Sequence, residues 1–124
     1  MARHIRIAAA QLGPLHKTDS RAAAVSRLKK LLQEAHAMGA KFVVFPELAF
    51  TTFFPRWWME NQAEVDERFF ERQIPSRETQ PLFDEAKKLG IGFYIGYAEL
   101  TPEGASSTTT HASGRTPRTS APFR

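Results

Sequence analysis

Phe42-Val43-Val44-Phe45 is apolar at every position and is closed by Pro46. A half-exposed strand alternates apolar with polar residues, so this unbroken run predicts a central parallel strand buried on both faces. Proline offers no ladder donor, and the strand is expected to end there. The chain before it holds a second strand: His4-Ile5-Arg6-Ile7-Ala8-Ala9-Ala10 begins by alternating and then turns small and apolar, as a strand entering a covered sheet does. Ile91–Ala98 reads as a third.

Helical spacing fills the intervals. After Gly13-Pro14, Asp19 or Ser20 can cap a helix carrying Val25, Leu28, Leu31, Leu32, Ala35 and Met38 at three- and four-residue steps, and Gly39 supplies its stop. Asn61 with Glu64 resembles a capping box, with Asn in place of Ser or Thr, for a helix running to about Arg72. Pro81 suits the first turn of a further helix bearing Leu82, Phe83, Ala86 and Leu89, which Gly90 closes. Strands alternating with helices predict an α/β fold of right-handed β-α-β units around a largely parallel local sheet.

The last 21 residues are of another kind. Residues 104–124 hold four serines, five threonines, three alanines and one large apolar residue, Phe123. Such a segment cannot bury enough surface to offset chain entropy, so disorder is expected from residue 104 onward. The formal charge of +4 has its origin there: all thirteen acids precede Gly104, whereas Arg115, Arg118 and Arg124 follow it. A balanced body with three tail arginines offers no folded basic face, which argues against nucleic-acid binding. No run approaches the ~20 apolar residues of a membrane span, and no secretory leader opens the chain, so no membrane partner and a cytoplasmic location are expected.

Chemistry is concentrated at Glu47. One proline separates it from the buried strand, which places a carboxylate at the C-terminal strand edge where open α/β sheets gather ligands. Burial beside Phe45, Leu48 and Phe50 would desolvate that carboxylate and move it toward the range of a general base. A loop glutamate pointing to water is the other reading of the same residues. His4, His16, His36 and His111 lack metal-ligand spacing, so no metal site is assigned. The chain contains no cysteine, hence neither a disulfide nor a thiol nucleophile.

Lys41-Phe42-Val43-Val44-Phe45-Pro46-Glu47-Leu48 resembles the glutamate motif of the nitrilase superfamily of carbon–nitrogen hydrolases. Ile7-Ala8-Ala9-Ala10-Gln11 is similar to that family's first strand, and Leu89-Gly90-Ile91-Gly92-Phe93 through Gly96-Tyr97-Ala98-Glu99-Leu100 to its third. Thr51-Thr52-Phe53-Phe54-Pro55-Arg56-Trp57 resembles a segment of the branch that hydrolyses N-carbamoyl-D-amino acids. Ordered likeness over roughly residues 3–103 is far more specific than a lone Pro-Glu-Leu. The resemblance implies the N-terminal portion of a four-layer α-β-β-α sandwich, homo-oligomeric in the complete protein. It also implies a Glu–Lys–Cys triad working without metal or organic cofactor on a small N-carbamoyl amino acid. Glu47 is the triad member that carries over, as general base. Phe53 and Phe54, near the family's active-site entrance, are candidates for shaping the substrate pocket, whereas Trp57 and Trp58 are expected to anchor the loop.

The family pattern departs at about Gly104, before its lysine and cysteine motifs. Lys17, Lys29, Lys30, Lys41, Lys87 and Lys88 lie in other contexts and read as solvated charges. Residues 1–103 therefore read as a partial carbon–nitrogen hydrolase domain, expected to be inactive alone and to self-associate. Shifting the codons of Ser107-Thr108-Thr109-Thr110-His111 by one nucleotide gives degenerate readings that include an Asn-Thr step like the family's continuation. A frameshift near codons 101–107, in the gene or its recorded sequence, is the expected origin of the tail. A non-catalytic binding or regulatory module, or a piece of another amidase of the superfamily, is the competing reading.

Overall fold

A computed structural model describes the backbone of residues 2–113 and the side chains of residues 2–103. Strand β1 (Ile7–Ala9) leads to helix α1 (Arg21–Ala37) and strand β2 (Phe42–Val44). A 3-10 turn (Phe54–Arg56) and helices α2 (Gln62–Phe69) and α3 (Gln80–Leu89) precede strands β3 (Gly92–Thr101) and β4 (Gly104–Ser113). The sheet order is β1-β2-β3-β4, parallel across the first two seams and antiparallel at the third. The expected mixed α/β architecture with a parallel sheet is therefore present.

Local sequence explains the helix ends. Ser20 Oγ accepts the Ala23 amide at 3.1 Å, satisfying one of the donors left open by the first turn of α1. At the other end Gly39 takes φ 82°, a conformation that costs a side-chain-bearing residue energy, and so turns the chain into β2. The Asn61 side chain accepts from the Glu64 amide, but Glu64 pairs with Arg68 rather than reaching back, so half of a capping box forms. Helix α2 stops at Phe69, three residues earlier than its periodicity suggests, because the backbone beyond it goes to the sheet. The Glu71 amide donates to Ala98 O at 2.7 Å and Glu71 O accepts from Leu100 at 2.9 Å.

One face of the sheet carries the core. Val43, Phe93 and Ile95 are fully buried beneath Leu28 and Leu32 of α1 and Leu82 of α3. Burying each such side chain contributes about 1.5–3 kcal/mol. The opposite face is open: Ile7 is 56% exposed, and Val44 and Tyr94 are each 39% exposed. The register pairs Ile7 with Phe42 and Gly92, and Ala9 with Val44 and Tyr94, so these residues share one side of the pleat. The expectation that β2 is buried on both faces is corrected here. Its apolar run reports a surface built for cover, and the described chain supplies helices to one side only.

The segment expected to be disordered begins with backbone paired to the sheet. Gly104–Ser113 forms β4, which pairs antiparallel with β3 through a register shift between Tyr97 and Glu99. A strand pairs through its backbone and needs no apolar payload, and threonine favours the extended conformation. Residues 114–124, also expected to be disordered, lie outside the described residues. Among the described residues no helix is long and apolar enough to cross a membrane.

The core makes a direct prediction. Leu28→Ala should lower unfolding free energy by about 2–5 kcal/mol through lost burial and the cavity it leaves. Urea denaturation followed by circular dichroism measures the difference, and a cost below ~1 kcal/mol would contradict the packing of α1 on the sheet.

Candidate functional site

Beyond Val44 the chain stays on the β3 edge before turning away. Phe45 N donates to Tyr94 O at 2.9 Å, and Ala49 N reaches Gly96 O at 3.3 Å. Between those two bonds Leu48 adopts φ 51°, a left-handed conformation that is uncommon for a bulky residue. The turn drives Leu48, Ala49 and Phe50 into the interior and leaves Glu47 outside. Core burial of three apolar residues offsets the backbone strain, which costs of order 1–3 kcal/mol.

Gly96 completes the seat. A Cβ at this position would stand 3.3 Å from Glu47 Cα, tighter than ordinary packing, and 3.6 Å from its Cγ. Only a glycine lets Glu47 lie this near β3 without displacing it. Two-residue alternation puts Gly96 on the same face as Tyr94, so Glu47 sits at the C-terminal end of β2 on the open side of the sheet. Of the two readings that the sequence left open, the water-facing one holds: the residue is exposed. Phe45, Leu48 and Phe50, which the other reading set around the carboxylate, are themselves buried in the core.

Glu47 lines a cleft of about 170 Å³ together with Leu12, Pro46, Thr52, Phe53 and Arg56. Phe53 is half exposed on this wall. Phe54 takes a different position, with its ring stacked 5.1 Å from Phe69 and tilted 5.3 Å from Phe70. The structure thus brings Glu47 and Phe53 together and places Phe54 in the packing of α2. Trp57 lies under the Arg56 guanidinium at 4.9 Å, while Trp58 is 90% exposed and anchors nothing among the described residues. Arg56 escaped the sequence reading because a lone arginine in a loop carries no periodic signal. No group of three or more His, Cys, Asp or Glu suited to a metal ion occurs among the described residues.

The carbon-nitrogen hydrolase family profile matches residues 6–112, and the chain belongs to that family. The match runs through β4, past the point at which the sequence pattern was expected to break. The fold is also similar to that of the glutamine-dependent NAD+ synthetase from Acinetobacter baumannii, solved in complex with adenosine diphosphate. That superposition has a TM-score of 0.51 at 13% identity and covers 83% of this chain. The chain spans 18% of the length of that synthetase, and the likeness concerns the fold.

Another acidic residue, Glu71, is buried further along β3. Glu71 Oε1 accepts from Arg21 Nε at 2.5 Å, and Arg21 Nη2 donates to Phe70 O at 3.0 Å. Burial pushes the Glu71 carboxyl above its ordinary range despite the hydrogen bond and charge of Arg21, and Glu78 adds in the same upward direction. Desolvation outweighs a close ion pair here, as it does for many buried pairs. A carboxyl with a raised folded-state pKa stabilises the fold fully below its unfolded pKa, roughly 4–4.5. That contribution is lost as pH rises through the folded value. Glu71→Gln should therefore gain stability relative to the parent between pH 4 and pH 7, read as the gap between urea midpoints. A gap independent of pH would show that the side chain titrates alike in both states. Arg21→Ala, which leaves the buried carboxyl without its cation, should cost ~3–5 kcal/mol at pH 7.

Proposed function

We propose that this chain is the N-terminal part of a carbon–nitrogen hydrolase acting on N-carbamoyl-D-amino acids, with Glu47 as the general base. The observation that carries the reading is the seat of Glu47 on the open sheet face, over Gly96, in a cleft walled by Phe53. A base needs hydrogen-bond reach to its nucleophile, and an exposed carboxylate at a strand end offers it to a group arriving from another layer. The apolar stripe of Ile7, Val44 and Tyr94 supports the same reading, because it suits the second sheet of a four-layer sandwich. Closing that layer would also supply the desolvation that Glu47 lacks here.

In the proposed reaction Glu47 takes the proton of a cysteine thiol. The sulfur bonds to the carbamoyl carbon while a lysine and backbone donors hold the oxyanion. The bond to the terminal nitrogen breaks, and that nitrogen takes the proton held by Glu47 and leaves as ammonia. Water then cleaves the resulting S-carbamoyl (thiocarbamate) linkage, giving its proton back to the sulfur, and the N-carboxy product loses carbon dioxide to give the D-amino acid. The 124 residues contain no cysteine, so this sequence cannot form the covalent intermediate. The run Thr108-Thr109-Thr110 is the feature behind a proposed shift of reading frame near codons 101–107, and sequencing the encoding DNA decides it.

The 124-residue chain should show no turnover of N-carbamoyl-D-amino acids by ammonia release. Turnover by that chain would overturn the thiol mechanism. A chain extended in frame through lysine and cysteine motifs of the family should hydrolyse them, and Glu47→Gln should reduce its rate by ~10²–10⁴-fold. Undiminished activity in a folded Glu47→Gln protein would remove the assigned role. Hydrolysis of simple amides or nitriles in preference to carbamoyl amino acids would move the protein to another branch of the family. The open sheet face should make the 124-residue chain self-associate in sedimentation, and Val44→Lys with Tyr94→Lys should reduce the mean mass. A monodisperse, cooperatively unfolding monomer would favour a binding or regulatory module.

A further inference from the structure

We infer that the Arg56 guanidinium anchors the carboxylate of the substrate in the Glu47 cleft, an inference that rests on the N-carbamoyl amino acid reading. Glu47 and Arg56 are the two charged residues on the walls of this cleft of about 170 Å³. At ~30 Å³ per water, that volume equals five or six waters, a fit for a small amino-acid derivative and little more. An N-carbamoyl amino acid carries one anionic carboxylate and one neutral ureido head rich in N–H donors. The cleft offers one cation and one acceptor anion to match.

Arg56 is held in a way that leaves its donors usable. Pro55 fixes the 3-10 turn, and the Arg56 amide closes it on Phe53 O at 3.3 Å. The guanidinium then lies 4.9 Å from the centre of the Trp57 ring. A cation–π contact uses no hydrogen-bond acceptor, so the guanidinium N–H groups stay available to a planar, bidentate partner. Four other arginines are committed within the protein: Arg21 to Glu71, Arg68 to Glu64, Arg6 to Met38 O and Arg27 to Pro14 O. Arg56 forms no ion pair among the described residues. A carboxylate docked on this fork directs the remainder of a short substrate along the cleft toward Glu47, past Phe53.

A single-tryptophan chain tests the assignment. Trp57 and Trp58 are the two tryptophans of the sequence, and Trp58 is solvent-exposed, so Trp58→Phe leaves Trp57 as the reporter beside Arg56. Fluorescence at low micromolar protein is titrated with N-carbamoyl-D-alanine, with methylurea, which lacks the carboxylate, and with acetate, which lacks the ureido head. N-carbamoyl-D-alanine should saturate the Trp57 signal at a concentration at least ~10-fold below that of methylurea, the fold-change expected of one charge-assisted hydrogen-bonded pair. Arg56→Gln should erase this preference, and Glu47→Gln should keep it, with matched circular dichroism in both. Equal midpoints for N-carbamoyl-D-alanine and methylurea overturn the anchor while leaving the carbamoyl reading intact. A response to acetate with none to methylurea keeps the anchor and overturns the carbamoyl reading. Persistence of the preference in Arg56→Gln, or silence toward all three ligands, overturns the anchor.

Discussion

The site depends on one backbone edge, the side of β3 that faces β2. Three separate segments share it in succession: β2 and Phe45 as far as Tyr94, Ala49 at Gly96, and Glu71 across Ala98 and Leu100. Each amide bonded there satisfies a group that would otherwise be costly to bury. The edge therefore holds the end of β2, the turn after Glu47 and the exit from α2 in one line. A long central strand with short clients gives a rigid base to loops that carry chemistry. Glu47 and Arg56 both belong to the span between the first and third of these attachments.

Features governed by local chemistry were legible in the sequence. Ser20 and Asn61 cap their helices because a short polar side chain can satisfy an open amide, and Gly39 and Gly90 end helices because φ is positive there. Features governed by distant partners were not. The run Phe42-Val43-Val44-Phe45 announced apolar cover without saying whether these residues supply it, and Val44 is half exposed. Glu47 was located correctly at the strand end, but its burial depended on which neighbours turned inward. The left-handed turn at Leu48 decided that, and no pattern of residue types marks a leucine as left-handed. Strand β4 escaped notice because composition measures burial, whereas an antiparallel partner joins through its backbone.

Arg21 shows how a misplaced charge can point to a distant partner. A cation in the first turn of a helix opposes the helix dipole, so its presence there implies compensation from elsewhere. The compensation is Glu71, fifty residues away, held by the same backbone bonds that end α2 early. The N-terminal end of α1 and the segment leaving α2 are thus coupled by one buried pair. The proposed anchor at Arg56 differs in kind, since its partner in the protein is an aromatic ring and not a carboxylate.

The left-handed turn at Leu48 has a consequence for how this family segment can vary. The position imposes two demands that few amino acids meet together: tolerance of φ 51° and enough apolar bulk to stay buried. Glycine meets the first and asparagine approaches it, but neither fills the interior; valine and isoleucine fill it and resist the torsion. Leucine is a compromise between them. A library that randomised position 48 should therefore retain a very narrow set of residues, while neighbouring exposed Pro46 and Trp58 admit more. The tight spot in sequence space lies beside Glu47 and belongs to a residue selected for its torsion and its bulk.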